Sequence, residues 1–298
     1  MIRLLGSGFG YRPTNDGKML RMIADWDDAY ANGPHIKGAE TYPPMWQQRA
    51  ADFRQELGDR AELDIPYGEA PRNRLDLFRP AGPATGLALF VHGGYWRAFD
   101  KSIWSHLARG AVDQGWAVAI PSYTLAPEAR IADITREIGR AVTAAAQLVE
   151  GPVHLAGHSA GGHLVSRMLC RDVPLDPALR ARIGQVVSIS GLHDLRPLLN
   201  LEMNADLKLD EAEAAGESPA LRHPVPGARL VCWAGSGERP EFLRQNDLLA
   251  NIWTGLGAVT ATVHATDKHH FNVIEGLEDA DSPLTRCFIT RGFTKGEY

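Results

Sequence analysis

From residue 84 onward, apolar runs of strand length alternate with stretches of helical periodicity. Six runs predict strands: 87–92, 116–123, 153–157, 185–190, 229–234 and 259–265. They are nearly continuous in apolar character instead of strictly alternating, which predicts a mostly parallel central sheet with helices on both faces, an α/β architecture. The stop signals agree. A helix over 103–114 ends at Gly115, one over 134–150 ends at Gly151 before Pro152, and Ser282 with Pro283 caps the start of a last helix. Ahead of this rhythm, Met19, Met22, Ile23, Trp26 and Tyr30 fall at helical spacing over 18–30, and Met45, Trp46, Phe53 and Leu57 do so over 45–57. Two alternating stretches, 63–68 and 73–80, read as a hairpin. The expected organisation is a flexible N-terminus over 1–18, unstructured through its glycines, and a single domain over 19–298 with cap-like helices over 19–57.

Composition narrows the class. The 298 residues are 44% hydrophobic and 22% charged, an ordinary globular balance with length for one large domain. A net charge of −5 without any run of Lys and Arg argues against nucleic acid or an anionic membrane as partner. Cys170, Cys232 and Cys287 are odd in number and lie far apart, so they read as reduced, buried thiols and not as a disulfide framework or a zinc ribbon. No stretch approaches the roughly 20 apolar residues of a membrane span, and the first residues lack an apolar signal core. The expectation is a cytoplasmic protein acting on a small molecule, with a homodimer allowed for.

The richest local signal is Gly157-His158-Ser159-Ala160-Gly161-Gly162-His163, a G-x-S-x-G pattern between an apolar strand and a helix pattern through Leu164, Met168 and Leu169. That context marks a nucleophile elbow: small residues two before and two after the serine give room for a strained strand-to-helix turn. A second glycine motif, His92-Gly93-Gly94-Tyr95-Trp96, closes strand 87–92. The N–H groups of Gly93 or Gly94, with that of Ala160, are placed to form an oxyanion hole, and His92 is expected to be a structural hydrogen-bonding residue.

A serine hydroxyl needs a histidine to take its proton, and the histidine needs a carboxylate to hold its tautomer. Glu238 follows strand 229–234, and His269 and His270 follow strand 259–265. Asp194 after strand 185–190 stays open as a rival acid, while Glu241 and Asp247 read as solvated charges on a helix face. His270 is favoured over His269 because Phe271 anchors its backbone, and His264 reads as a core histidine. A metal site built on His154, His158, His163, His269 and His270 is disfavoured by the lack of acidic ligands.

These residues resemble the kynurenine formamidase (arylformamidase) branch of the α/β-hydrolase esterases, near the hormone-sensitive-lipase-like group. The likeness rests on His92-Gly93-Gly94-Tyr95-Trp96, Ser122-Tyr123-Thr124-Leu125-Ala126-Pro127 and Gly157 to His163. It is reinforced by Tyr67-Gly68, by Arg72 to Phe78, by Pro240-Glu241-Phe242 with Gln245, and by His270-Phe271. It implies an α/β-hydrolase fold with nucleophile Ser159, base His270, acid Glu238 and oxyanion donors Gly93, Gly94 and Ala160. One departure stands out: such enzymes usually carry aspartate where this chain has Glu238. The implied activity is hydrolysis of an aryl formamide, N-formylkynurenine, through an acyl-enzyme in tryptophan catabolism, without metal or organic cofactor. The same machinery fits a carboxylesterase of short acyl esters, and a non-catalytic binding protein on this fold is the third reading. Tyr95 and Trp96 are the candidate substrate platform, with Trp26 and Trp46 as further candidates for which core or cap packing is preferred. The acidic segment 202–217 is expected to form a helix near the site entrance.

Overall fold

Strand β1 (Phe9–Pro13) pairs antiparallel with β2 (Met19–Ile23), Phe9 opposite Ile23. The computed structural model describes residues 9–13 and 19–290. Helices α1 (Trp26–Tyr30) and α2 (Tyr42–Leu57) follow, then β3 (Ala61–Pro66), β4 (Arg74–Phe78) and β5 (Leu87–Val91). The remaining order is α3 (Arg109–Asp113), β6 (Ala117–Pro121), α4 (Ile131–Leu148), β7 (Val153–His158), α5 (Ala160–Arg167), α6 (Pro177–Arg182) and β8 (Ile183–Ile189). It closes with α7 (Asn204–Leu207), α8 (Glu211–Gly216), β9 (Arg229–Gly235), α9 (Pro240–Gly255), β10 (Val259–Ala265) and α10 (Pro283–Ile289).

Eight strands form one sheet in the order β10-β9-β8-β7-β5-β6-β4-β3, parallel from β10 through β6 and antiparallel where β4 and β3 join. The parallel part follows from the apolar runs, because a strand buried on both faces has no use for alternation. In β5, Leu87, Leu89 and Val91 enter one core with α1, α4, α5 and α9, while Ala88 and Phe90 enter the opposite core with α2, α3 and α10. Register brings the carboxyl ends of five strands to one edge: Val91 lies opposite Gly157, His158 opposite Ile189, Ile189 opposite Trp233, and Gly235 opposite Ala265. Ligands of open α/β sheets bind at such an edge.

Two element expectations are corrected. Residues 18–30 are not one helix: Met19–Ile23 gives its backbone groups to β1, and the helix begins only at Trp26, where the Asp25 carboxylate accepts from the Asp28 N–H at 2.9 Å. Spacing of apolar residues did not distinguish these outcomes; a capping aspartate and a partner strand did. Residues 103–114 are likewise two 3₁₀ turns, Lys101–Ile103 and Ser105–Ala108, followed by the short α3, which ends at Asp113 two residues before Gly115 with φ +82°. The Arg54 guanidinium takes the Ser102 carbonyl and the Ser105 hydroxyl, claiming an acceptor that a continuous helix would have used internally. Of the N-terminus expected to be unstructured, 1–8 and 14–18 lie outside the described residues, and Phe9–Pro13 is strand.

Candidate active site

The β7–α5 turn is built from close contacts that only glycine permits. A Cβ on Gly157 would strike the Gly161 carbonyl, one on Gly161 would strike the Val91 carbonyl, and one on Gly162 would lie 2.8 Å from the Gly191 Cα. The turn therefore packs backbone on backbone, and Ser159 sits at its apex with φ +55° and ψ −117°, a conformation that costs a non-glycine residue about 1–3 kcal/mol. Its N–H donates to the Ile189 carbonyl at 2.8 Å, and the His163 N–H donates to its carbonyl at 3.1 Å. Ser159 is thus clamped between β8 and the first turn of α5.

The loop after β5 approaches the same apex. A Cβ on Gly93 would lie 2.8 Å from the His158 carbonyl, and Gly94 has φ +107° with the Ala98 carbonyl 2.5 Å from its Cβ position. Among the described residues the Gly93 and Gly94 N–H groups have no acceptor. With the Ala160 N–H at the start of α5 they can donate to an oxygen that gains negative charge near Ser159. His92 behaves structurally: it is fully buried, contacts the Gly93 carbonyl through Nδ1 at 2.7 Å and stacks on Tyr123 at 4.4 Å. Burial lowers its pKa to about 4, so it stays neutral.

The loops after β9 and β10 bring Glu238 and His270 together. His270 Nδ1 lies 2.7 Å from Glu238 Oε2, with Glu238 7% and His270 4% exposed. The other carboxylate oxygen accepts from the Gly235 N–H at 2.8 Å and from the Ser190 hydroxyl. The Nδ1 contact leaves Nε2 of His270 for a second partner, and Ser159 and His270 line one cavity. Among the described residues they are not hydrogen-bonded to each other, a common state of such pairs before substrate binds. The rival acid Asp194 is turned away: its carboxylate takes the Arg196 guanidinium bidentately at 2.8 and 2.9 Å. That pairing and the backbone N–H of Arg196 hold it below the usual carboxylate range despite burial.

Two smaller expectations change, those for Glu241 and His264. Glu241 is not a solvated charge; it is 1% exposed, accepts from the Tyr30 hydroxyl at 2.8 Å and pairs with Arg244 at 2.8 Å. His264 is not in the core, because β10 is an edge strand, and it pairs with Asp247 on the open surface at 2.8 Å. His269 is half-buried and contacts the Tyr42 hydroxyl at 3.2 Å.

The cavity over Ser159 measures about 280 Å³ and is walled by the rings of Trp46, Tyr95, Phe99, Trp104 and Phe271. These rings pack on one another: Trp46 lies 4.7 Å from Trp104, 5.5 Å from Phe271 and 6.4 Å from Phe99. Tyr95 is fixed by its hydroxyl, which donates to the Tyr30 carbonyl at 2.6 Å, and burial holds its phenol well above the usual value. Trp96 is not part of the wall. It has no exposed surface and packs edge-on against His163, because φ +57° at Trp96 turns its side chain into the core beneath the turn. Trp26 is half-buried against the core, whereas Trp46, for which packing was preferred, lines the cavity from α2. Phe99 and Trp104 were missed; their signal was aromatic residues recurring after the double glycine. The segment 202–217 forms the short helices α7 and α8, and Asp206 of α7 reaches Arg97 at the cavity.

Among the described residues no group of three or more His, Cys, Asp or Glu side chains could hold a metal. His154 contacts the Phe288 carbonyl at 2.9 Å and lies against Trp116, remote from the cavity. His158 does line the cavity, 4.6 Å from the His270 ring; burial and that neighbour push its pKa well below the ordinary value, so it stands neutral beside His270.

A model of the alpha/beta hydrolase family matches residues 88–289. A kynurenine formamidase of Salmo salar is 28% identical over 293 residues, covering 94% of this chain and 97% of its own length. One from Danio rerio is 28% identical over 252 residues, covering 81% and 84%. A solved structure from Silicibacter sp., provisionally described as a thioesterase, is 53% identical, covers 89% of this chain and 99% of its own, and superposes with a TM-score of 0.84.

Proposed function

The chain belongs to the alpha/beta hydrolase family, and from that premise we propose that it hydrolyses an aryl formamide, N-formylkynurenine, to kynurenine and formate. The observation that carries this reading is the wall of packed aromatic rings around a cavity of about 280 Å³ that opens on Ser159 and His270. That volume stands near the small end of ligand pockets, roughly 300–1,000 Å³, and suits one aromatic ring with a one-carbon acyl group better than a long acyl chain. The curated relatives named kynurenine formamidase support the same substrate.

In this reading Ser159 Oγ attacks the formyl carbon while His270 Nε2 takes its proton, and Glu238 on Nδ1 stabilises the imidazolium. The N–H groups of Gly93, Gly94 and Ala160 donate to the oxyanion. Collapse breaks the C–N bond, His270 returns its proton to the departing arylamine, and a formyl ester remains on Ser159. Water then attacks this ester as His270 takes a proton, and formate leaves as the serine is reprotonated. No metal or organic cofactor enters a step. A place in tryptophan catabolism and a cytoplasmic location belong to this reading. The location is supported by three buried thiols outside any disulfide; among the described residues no helix is long and apolar enough to cross a membrane.

The Silicibacter structure favours a second reading, hydrolysis of short acyl esters or thioesters, which passes through the same tetrahedral intermediate. Comparing kcat/KM for N-formylkynurenine, p-nitrophenyl acetate and a short acyl thioester separates the two. The formamide is expected to be the best of the three; an ester or thioester preferred by several orders of magnitude rejects the formamidase reading.

A further inference from the structure

The turn after β5 does more than offer two N–H groups. Gly94, Tyr95 and Trp96 are successively left-handed, with φ +107°, +49° and +57°, and the N–H groups of Arg97 and Ala98 both donate to the Gly94 carbonyl at 3.0 Å. Two consecutive non-glycine residues in that region are strained, and such strain collects at functional sites. Its effect is to bury Trp96 while placing Arg97 on the cavity wall. Arg97 is the one permanently charged side chain among the residues lining that cavity.

Its partner is Asp206 of α7, from the acidic segment after β8, at 2.5 Å from Nη1. The side chains are 38% and 50% exposed, so the pair is solvated and adds little to stability. Among the described residues the guanidinium makes no other side-chain or backbone hydrogen bond, so four of its five N–H donors, about the number in the general inventory, are uncommitted. A planar fork of this kind fits a carboxylate bidentately, and the carboxylate beside it fits an ammonium. Arg97 on the cavity wall, with Asp206 of opposite sign paired to it from outside the lining, offers the two charges that complement an α-amino acid head.

We propose that Arg97 and Asp206 read the zwitterionic amino-acid head of the substrate, Arg97 taking the carboxylate and Asp206 the ammonium, while the aromatic wall holds the ring and Ser159 faces the acyl group. This rests on the formamidase reading for the substrate but not for the clamp, which binds the product head equally.

Two measurements test it. Titration calorimetry on the wild-type protein compares L-kynurenine with kynuramine, the same arylamine without the carboxylate. Kynurenine is expected to bind on the order of 10–100-fold tighter, as befits hydrogen bonds to a charged group, with most of that difference lost in Arg97→Met. Equal affinities in the wild type, or a difference that Arg97→Met preserves, overturn the assignment whether or not a formamide is the substrate. The kcat/KM ratio of N-formylkynurenine to formanilide, which lacks the head, is expected to fall by a similar factor in Arg97→Met and by less in Asp206→Asn, through KM. An unchanged ratio in a protein that hydrolyses both formamides overturns the clamp alone. A wild type that hydrolyses neither formamide yet shows the calorimetric difference sinks the formamidase reading and keeps the clamp.

Discussion

Ser159 and His270 line one cavity, yet the loops that carry them are held in place by different physics. At the serine, Gly157, Gly161 and Gly162 let backbone touch backbone, so the strained φ of +55° is enforced by sterics. At the histidine the restraints are polar. Glu238 is kept in place by the Gly235 N–H, the Ser190 hydroxyl and His270 Nδ1, in a pocket that is almost sealed from water. A steric lock fails when an atom is added and needs no partner chemistry. A polar lock tolerates volume changes but fails when a donor is removed, because a buried charge is left under-solvated.

The sharpest way to break the comparison is to delete chemistry from each side. Ser159→Ala and His270→Ala are each expected to lower kcat by about 10⁶-fold, and Glu238→Gln by about 10⁴-fold, with the fold intact. The smaller loss for the acid follows from its indirect part: it orients and stabilises, and the serine and imidazole remain. Steady-state kinetics with circular dichroism checks this. Near wild-type rates in Ser159→Ala would remove the serine from the mechanism altogether.

Adding one carbon separates the locks in stability. Gly161→Ala drives a Cβ into the Val91 carbonyl, where neither backbone can yield, and is expected to cost about 3 kcal/mol, the upper end for overpacking. Gly237→Ala, in the acid loop, meets its nearest atom, the Lys268 carbonyl, at 3.3 Å and should change stability by less than about 1 kcal/mol. Urea unfolding of both variants at constant m-value reads the difference. Equal midpoints would show that the elbow is not sterically locked.

The same contrast decides what the amino-acid sequence could disclose. The elbow was legible because steric necessity leaves a local trace: three glycines at fixed offsets around a serine, after an apolar strand. The candidate acid was narrowed only to Glu238, favoured, or Asp194, since what sets the two apart is Arg196 pairing with Asp194, a contact two residues away whose geometry no pattern encodes. Trp96 was misplaced because its direction depends on a left-handed φ that only the folded turn imposes. Trp46 was undervalued for a related reason. An apolar helix face packs against whatever the tertiary fold supplies, and here that is Trp104, Phe99 and Phe271 beside an open cavity. The first helix failed at Met19–Ile23, where pairing with a strand earlier in the chain overrode helical spacing.

The gentlest test loosens the polar lock without opening it. Ser190 donates its hydroxyl to Glu238 while its own backbone sits at φ +51°, its N–H on the Trp233 carbonyl at 2.6 Å. Ser190→Ala removes one of three hydrogen bonds to the carboxylate, which should lower kcat by roughly tenfold and stability by about 1.5 kcal/mol, the lower range for a bond to a charged group. Ser190→Gly removes the same hydroxyl but relieves the left-handed backbone, recovering about 1 kcal/mol of that loss. The two variants should therefore share a kcat and differ in thermal midpoint. If kcat instead recovers with stability in Ser190→Gly, the serine acts only by supporting the fold, and the hold on Glu238 reduces to the Gly235 N–H and His270 itself.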